Sequence, residues 1–340
     1  MEKFKRIGFQ EREVLEETLK TQLDKIINES YNNIGGIIVQ KSGKTLYENY
    51  FNECTSTSTF HVFSVTKSIV SILIGIAIDR GYIKSIHQKV LDFFPDYVVK
   101  IGEETIQDIT LEDMLTMTAP YKFKSEPYEE YFSSDNWVDS ALDLLGGNGR
   151  IGEFQYTPVI GPDIFSGILV NVTGQSVLDF ATEYLFSPLG INVSGMIVFQ
   201  NSEEQLGWYN EKNVKGWVAD RTGVNTSGWG LSLTPMDMAK IGQLYLNGGV
   251  WEGNQIISPE WIHESTKVHS RCNQWKLSYG YLWWIIDENE HSYAAMGDGG
   301  NVIYVNLKKE LVVSIASFFV PEVTDRIKLI KEYIEPVLED

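Results

Sequence analysis

The chain has 340 residues, which suffices for one large or two smaller domains with a substantial core. Its 46 acidic residues outnumber 28 lysines and arginines, and the formal net charge of −18 argues against a nucleic-acid partner. The N-terminal residues show no apolar signal region and the longest apolar run is too short to cross a membrane, so we expect a cytoplasmic protein without a membrane partner.

The first fifty residues predict a helix followed by a hairpin. Residues 10–30 predict an amphipathic helix, because their apolar side chains recur at helical spacing. Residues 35–40 then predict a strand, residues 41–44 a turn, and residues 45–47 the returning strand.

An apolar run from Ile69 to Ile78 follows a loop rich in threonine and serine. It leaves almost no polar face, so it predicts a helix that is buried on nearly all sides and ends at Gly81. Just before it, Ser64 and Lys67 stand three positions apart, which places them on one helix face, one turn apart.

This Ser-x-x-Lys pattern indicates nucleophilic catalysis because of its surroundings. A lysine next to so apolar a helix is desolvated, which lowers the pKa of its amine and lets it act as a base. The unpaired N–H groups of a first helical turn also suit an oxyanion. The alternative is a structural serine and lysine, because a chain of this size contains about one such pattern by chance.

The middle of the chain predicts short helices separated by loops. Thr110 is a candidate cap for a short helix over residues 110–115. The further predictions are an irregular segment over 119–150, helices over 164–172 and 176–186, and a loop-rich segment over 200–228.

The last third of the chain predicts mainly strands. Thr234 and Pro235 begin a helix that runs through residue 246, and residues 259–266 form a similar one. Strands are predicted at 280–286, 293–296, 302–305 and 311–319, an acidic hairpin tip at 287–291, and a terminal helix at 323–338.

These elements predict an α/β fold of the α+β kind. An antiparallel sheet is built from both termini and flanked by helices, and a mainly helical region is inserted into it. The expected domains are residues 1–85 with 228–340 for the sheet domain, and residues 86–227 for the inserted helical domain.

The chain resembles the serine β-lactamase and penicillin-recognising superfamily, in particular its class C-type branch of esterases and nylon-oligomer amide hydrolases. The resemblance spans nearly the whole chain and rests on several motifs together. They are Gly36-Ile37-Ile38-Val39 with its hairpin, Phe63-Ser64-Val65-Thr66-Lys67-Ser68, Leu115-Thr116-Met117-Thr118, Phe154-Gln155-Tyr156, Phe186-Ser187-Pro188-Leu189-Gly190-Ile191, the run that starts at Ser227-Gly228-Trp229-Gly230, and Gly297-Asp298-Gly299-Gly300-Asn301.

The resemblance implies an acyl-transfer site. Ser64 would be the nucleophile and Lys67 its activating partner. Tyr156 would complete the proton relay as the tyrosine of the family's Y-x-N element.

It also implies how the substrate is held. Asp298-Gly299-Gly300 aligns with the family's third element, a K-T-G or H-x-G sequence on an edge strand. The backbone N–H of Asn301, together with that of Ser64, would then form the oxyanion hole. Trp229 is the candidate for a pocket wall.

The chain departs from the family pattern at three positions. The Y-x-N element is Tyr156-Thr157-Pro158 here, so its side-chain amide is missing. Asp298 replaces a cation or an imidazole, which removes the group that would hold a substrate carboxylate. Asp163 aligns where the amide-hydrolase relatives often have a histidine.

Other sequence features compete with this assignment. Ser134-Asp135-Asn136 is a literal S-D-N, the element of class A β-lactamases, and is the alternative to Tyr156. Lys41-Ser42-Gly43 is a literal K-S-G, but it precedes the nucleophile and is interpreted as a hairpin turn. His61 is interpreted as a loop histidine whose hydrogen bonds are satisfied, with a base or pocket wall as the alternative.

No cofactor or metal is expected. His263 and His269 lie six positions apart on different helix faces, which does not support a metal pair. Cys54 and Cys272 show neither metal nor redox spacing, so two unpaired thiols are expected. The sequence does not indicate the oligomeric state.

The function that these residues favour is a serine hydrolase of β-lactamase-related type, which cleaves a small amide or ester through a Ser64 acyl-enzyme. One alternative is a catalytically impaired relative that serves as a binding or scaffold protein, because the Y-x-N amide and the third-element cation are absent. The other is a β-lactamase or DD-peptidase.

Overall fold

The computed structural model describes residues 9–209 and 211–338. The helices are α1 (Phe9–Ser30), α2 (Val65–Asp79), α3 (Leu111–Leu115), α4 (Tyr128–Ser133), α5 (Trp137–Leu144), α6 (Asp163–Thr173), α7 (Val177–Ala181), α8 (Ser202–Trp208), α9 (Pro235–Leu246), α10 (Pro259–Ser265) and α11 (Arg326–Leu329). Short 3₁₀ turns occupy Val90–Phe93, Thr105–Gln107, Asp298–Gly300 and Glu335–Leu338, and π turns extend α7 over Thr182–Phe186 and α11 over Ile330–Ile334.

The strands are β1 (Ile34–Lys41), β2 (Lys44–Tyr50), β3 (Phe60–His61), β4 (Met196–Ile197), β5 (Trp217–Val218), β6 (Ser232–Leu233), β7 (Val250–Trp251), β8 (Asn254–Gln255), β9 (Ser270–Cys272), β10 (Leu277–Tyr279), β11 (Trp284–Asp287), β12 (Ser292–Gly297), β13 (Asn301–Asn306) and β14 (Leu311–Ser317). Eight of them form one antiparallel sheet in the order β2-β1-β14-β13-β12-β11-β10-β9. The predicted sheet of both termini is thereby confirmed: β1 pairs with β14, with Ile37 opposite Ile315.

Helices cover both faces of this sheet. On one face α1 and the C-terminal helical segment pack on alternate residues of the strands, such as Val39, Tyr304 and Val313. On the other face α2 and α9 pack on the intervening residues, such as Ile303 and Val305. This three-layer arrangement leaves α2 inside the protein, which is why its sequence carries no polar stripe.

Several helices form where their termini have hydrogen-bonding side chains. Thr110 caps α3 and Thr234 caps α9, each in a reciprocal bond with an aspartate three residues on, as their sequences predict. Gly81 adopts φ +77° directly after the last residue of α2 and its cap, as predicted for a helix end.

The structure corrects the sequence prediction at several elements. The segment 119–150, predicted as irregular, contains α4 and α5, and the segment 200–228 contains α8 and β5. The predicted strand over 280–286 begins only at Trp284, and two unpredicted strands, β9 and β10, extend the sheet before it. The terminal helix begins at Arg326 rather than at 323, because the Asp325 side chain caps it.

The eight strands of the main sheet lie outside residues 86–227, whereas one continuous hydrophobic core joins those residues to the sheet through α2. The division into a sheet domain and an inserted helical domain stays a prediction. Cys54 and Cys272 are free thiols.

Among the described residues, no single helix has the length and apolar character needed to cross a bilayer. One pair of helices, Asp163–Thr173 with Val177–Phe186, meets those requirements of length and composition jointly, with a bend of 77° between its two parts.

Gly75 lets α10 approach α2 closely, because a Cβ atom there would lie 2.5 Å from Cγ of Trp261. Gly75→Val should therefore lower the free energy of unfolding by about 1–3 kcal/mol, the usual cost of overpacking a core. Gly207→Val is the matched control, because Gly207 is also helical but an added Cβ meets no atom within 4 Å. Chemical denaturation followed by circular dichroism measures both, and equal losses would contradict this packing.

Candidate active site

Ser64 is the N-cap residue of α2, but its hydroxyl does not cap the helix. Every residue from 60 to 77 is buried except Ser64, which is partly exposed. The residue before it, Phe63, has φ +48°, a left-handed conformation that is strained for a bulky side chain and typical of functional turns. Substrate can therefore reach this buried stretch of chain only at Ser64.

The amine of Lys67 contacts Ser64 and two main-chain carbonyl groups. Nζ lies 2.8 Å from Oγ of Ser64, 2.6 Å from the carbonyl oxygen of Pro158 and 2.9 Å from that of Gly228. Carbonyl oxygens only accept hydrogen bonds, so they take both N–H groups of a neutral amine. The lone pair of that amine is then directed at the Ser64 hydroxyl.

Burial favours the neutral form of this amine. The Lys67 side chain is almost inaccessible to solvent, with 1% exposed. Burial lowers the pKa of Lys67 to about 8, although the negative charges of Glu126, Asp298 and Asp163 act to raise it. A substantial fraction of Lys67 is therefore unprotonated near neutral pH.

Tyr156 completes the group of side chains around Ser64. Its ring lies beside Lys67, with Nζ 5.3 Å from the ring centroid. Burial raises the pKa of the Tyr156 phenol above its usual value near 10, and a hydrogen bond with Ser64 offsets this only in part. Tyr156 is thus a neutral hydroxyl, able to donate and accept, whereas Lys67 is the more available base.

The missing amide of the Y-x-N element is replaced by main chain. Pro158 stands at its third position, and the carbonyl oxygen of Pro158 accepts a hydrogen bond from Lys67. The sequence departure therefore removes a side chain without leaving Lys67 unbonded.

Two acidic side chains hold the segments that supply these carbonyl groups. The Glu126 carboxylate accepts the N–H groups of Val159 and Ile160, directly after Pro158. The Asp163 carboxylate accepts the N–H group of Ser227, at 2.7 Å, directly before Gly228. Burial raises the pKa of Asp163 to about 7 and also raises that of Glu126.

The third-element loop lies against the start of α2 through Gly297. A Cβ atom on Gly297 would overlap the carbonyl oxygen of Val62 and lie 3.1 Å from the main-chain nitrogen of Ser64, so only glycine allows this approach. Asp298 follows Gly297 and is exposed, and its charge acts on Lys67 and Tyr156. Asp298 is thus close enough to a bound substrate to affect it electrostatically.

Gly300 and Asn301 follow Gly297 and Asp298 in the third-element loop. Asn301 is wholly buried opposite Gly297, and its amide donates to the carbonyl oxygen of Asp298 at 2.7 Å. A Cβ atom on Gly300 would meet Arg326, on the side of the terminal helix. These contacts assign both residues to holding the loop, and the predicted oxyanion role of the Asn301 N–H stays a prediction.

Trp229 belongs to a buried aromatic cluster beside the site rather than to an open wall. Its indole ring stacks on Tyr209 at 5.7 Å and lies 5.8 Å from His61. Nε2 of His61 accepts the Gly230 N–H, and burial lowers the pKa of His61 well below its usual value. His61 is therefore a buried neutral histidine and not the base at Ser64. The prediction of a satisfied loop histidine is wrong in two respects: His61 lies in β3, and its Nδ1 has no hydrogen-bond partner among the described residues.

The literal S-D-N sequence has a structural role. Asn136 caps α5 by accepting the Asp139 N–H, and the Ser134 hydroxyl bonds the main chain of Asn136. Asp135 forms an exposed ion pair with Arg221. The literal K-S-G forms the turn between β1 and β2, with Ser42 at φ +48°. These contacts support Tyr156 over the S-D-N alternative.

A cleft of about 750 Å³ opens beside Tyr156. Residues 152–156 form one side, and the turn between β9 and β10 forms the other. The exposed Trp275 lines it with its ring centroid 5.4 Å from that of Tyr156. This cleft therefore borders Tyr156, whereas Ser64 and Lys67 are not among the residues that line it.

The chain is similar to known proteins both in sequence and in structure. The family described as Beta-lactamase matches residues 23–332. A 6-aminohexanoate-dimer hydrolase from Paenarthrobacter ureafaciens is 22% identical over 297 residues, which cover 81% of this chain and 70% of that protein.

Two solved structures share the architecture. A family VIII carboxylesterase superposes with a TM-score of 0.71 at 15% identity, covering 95% of this chain and 97% of that one. A penicillin-binding protein homologue from Caulobacter crescentus superposes with a TM-score of 0.69 at 15% identity, covering 90% and 92%. These structures confirm the predicted fold class, and the family match spans nearly the whole length. The chain belongs to the beta-lactamase family.

Proposed function

We propose that the protein is a serine hydrolase that cleaves a small amide or ester through an acyl-enzyme on Ser64. The observation that carries this proposal is the Lys67 amine, which is desolvated, bonded to two carbonyl groups and 2.8 Å from the Ser64 hydroxyl. A structural lysine has no need of this arrangement, whereas a base for a serine nucleophile does. Relatives named as a 6-aminohexanoate-dimer hydrolase and a family VIII carboxylesterase support the same chemistry.

Acylation begins when Lys67 takes the proton of Ser64 and Oγ attacks the substrate carbonyl carbon. The new C–O bond places negative charge on the carbonyl oxygen, and the main-chain N–H of Ser64 is one donor to it. We assign the second donor to the N–H of Asp298, because its neighbour Gly297 packs on the Ser64 nitrogen. The Asn301 N–H, predicted from the sequence, is the alternative.

Collapse of the tetrahedral intermediate breaks the bond to the leaving amine or alcohol. The proton taken by Lys67 passes to that group through the Tyr156 hydroxyl, which is neutral and bonded to Ser64. A water molecule then attacks the ester carbon, gives its proton to the same relay, and releases the acid and the free Ser64 hydroxyl.

The two other functions fit the site less well. A binding or scaffold protein would not require a desolvated amine beside a partly exposed serine hydroxyl. A β-lactamase or DD-peptidase binds a substrate carboxylate, which the exposed Asp298 carboxylate repels.

Ser64→Ala should abolish covalent labelling by a fluorophosphonate and any esterase activity, while leaving the fold intact. Intact-protein mass spectrometry with peptide mapping measures the adduct. Ser68→Ala is the matched control, because Ser68 lies one turn further along α2 and bonds only the carbonyl oxygen of Leu282. Labelling of another serine in the wild type, or labelling of the Ser64 variant, would refute the assignment.

Lys67→Arg should slow labelling by about 100- to 10,000-fold, nearly as much as Lys67→Ala, because a guanidinium does not give up its proton near neutrality. In the wild type Lys67 is a base only when unprotonated, and its pKa is lowered to about 8. The labelling rate should therefore rise with pH through that value and then level off. A flat profile, or a fully active arginine variant, would contradict this role.

Asp298→Lys should improve turnover of anionic substrates relative to cationic ones by about fivefold or more, because one repulsive charge becomes attractive. We expect the wild type to hydrolyse penicillins poorly and neutral or amine-bearing esters and amides better. This preference for neutral or cationic substrates should weaken at high salt.

Asp96→Lys is the control, since Asp96 is exposed and is not among the charges acting on Lys67 or Tyr156. Efficient penicillin hydrolysis would remove this role for Asp298.

A further inference from the structure

The peptide group between Pro158 and Val159 is bonded at both ends inside the protein. Its carbonyl oxygen accepts from Nζ of Lys67 at 2.6 Å. Its N–H, which belongs to Val159, donates to both carboxylate oxygens of Glu126, at 3.1 and 3.2 Å. One rigid peptide plane therefore joins the carboxylate to the catalytic amine.

The hydrogen bonds of Glu126 favour its carboxylate form, although burial raises its pKa. Besides Val159, the Ile160 N–H donates to it at 3.0 Å, and the Tyr128 hydroxyl also bonds it. The two main-chain N–H groups can only donate, and between them they bond both oxygens, which favours the carboxylate over the acid. Its negative charge polarises the peptide, which makes the Pro158 oxygen a stronger acceptor.

We propose that Glu126 is a positioning residue for Lys67, and that through the Pro158–Val159 peptide it takes over the task of the absent Y-x-N amide. The inference rests on the proposed function of Ser64 and Lys67. Glu126 acts in two ways. It fixes the position of the Pro158 oxygen, which orients the amine toward Ser64. Its charge also stabilises the protonated amine, so it sets the pH at which the base becomes available.

Other charged and titratable groups face the same amine. They are Asp298 from the third-element loop, Asp163 at the start of α6, the Tyr156 phenol and the Ser64 hydroxyl. Glu126 differs from these groups because it bonds the N–H of the peptide whose carbonyl oxygen, that of Pro158, binds Lys67. Asp163 bonds the Ser227 N–H, in the segment before Gly228. Removing the charge of Glu126 therefore changes both the position and the proton affinity of Lys67.

The test is the pH profile of fluorophosphonate labelling of Glu126→Gln, measured by intact-protein mass spectrometry from about pH 6 to about pH 10. The glutamine keeps one acceptor oxygen, but its NH₂ group would face the main-chain N–H groups that bond the carboxylate. The Pro158–Val159 peptide is then held less firmly, so the plateau rate should fall by about tenfold. Loss of the negative charge should move the rise of the profile to lower pH. The rate at pH 6.5 relative to that at pH 9 should therefore increase.

Two further variants separate positioning from charge. Glu129→Gln removes an exposed carboxylate close by in the sequence and should leave the profile as in the wild type. Glu126→Asp keeps the charge on a shorter side chain, so its plateau should fall while the profile rises at the wild-type pH. If Glu126→Gln fails to fold by circular dichroism, this aspartate variant decides the question.

The outcomes distinguish this inference from the proposed function. Absence of labelling at Ser64 in the wild type would overturn the proposed function itself. Normal wild-type labelling together with an unshifted profile in Glu126→Gln, or a shifted one in Glu126→Asp, would overturn the role of Glu126 alone.

Discussion

The placement of one amine inside the protein governs the rest of this structure. An ammonium ion is costly to remove from water, so burial shifts Lys67 toward its neutral form, which hydrogen-bonds well to two carbonyl groups and one hydroxyl. That burial requires α2 to be enclosed on all sides. The enclosure in turn requires a sheet on one side of α2 and the helical region on the other. The layers around α2 therefore exclude water from the Lys67 amine, while Ser64 stays partly exposed.

The fold was largely predictable from the sequence because its strongest signals are local. The apolar run of α2, the caps Thr110 and Thr234, and the Gly81 helix end each depend on a few neighbouring residues. The elements that were missed have weak local signals. Strands β9 and β10 have three residues each and are stabilised by pairing, β9 with β10 and β10 with β11. The helices α4 and α5 follow loops without a long apolar period.

The candidate site could be predicted only where it is formed by side chains. Ser64, Lys67 and Tyr156 are visible in the sequence, and the structure brings them together. The carbonyl oxygens of Pro158 and Gly228 have no sequence signal, because every residue has a carbonyl group. Glu126 was missed for a related reason: its contact with the site passes through main-chain N–H groups of residues more than thirty positions away. A substitution within a motif is thus a poor guide to lost function when main chain can replace a side chain.

The sheet built from both ends of the chain has a consequence for biosynthesis. The ribosome completes α2 at Asp79, but the strands on which it packs, β12 and β13, emerge about 200 residues later. At usual elongation rates that interval lasts on the order of ten to forty seconds. During it the apolar surface of α2 lacks its final covering and is a natural target for chaperones. A nascent chain that stops before β14 already contains Ser64, Lys67 and Tyr156, yet it cannot complete the sheet and is expected to aggregate rather than to fold.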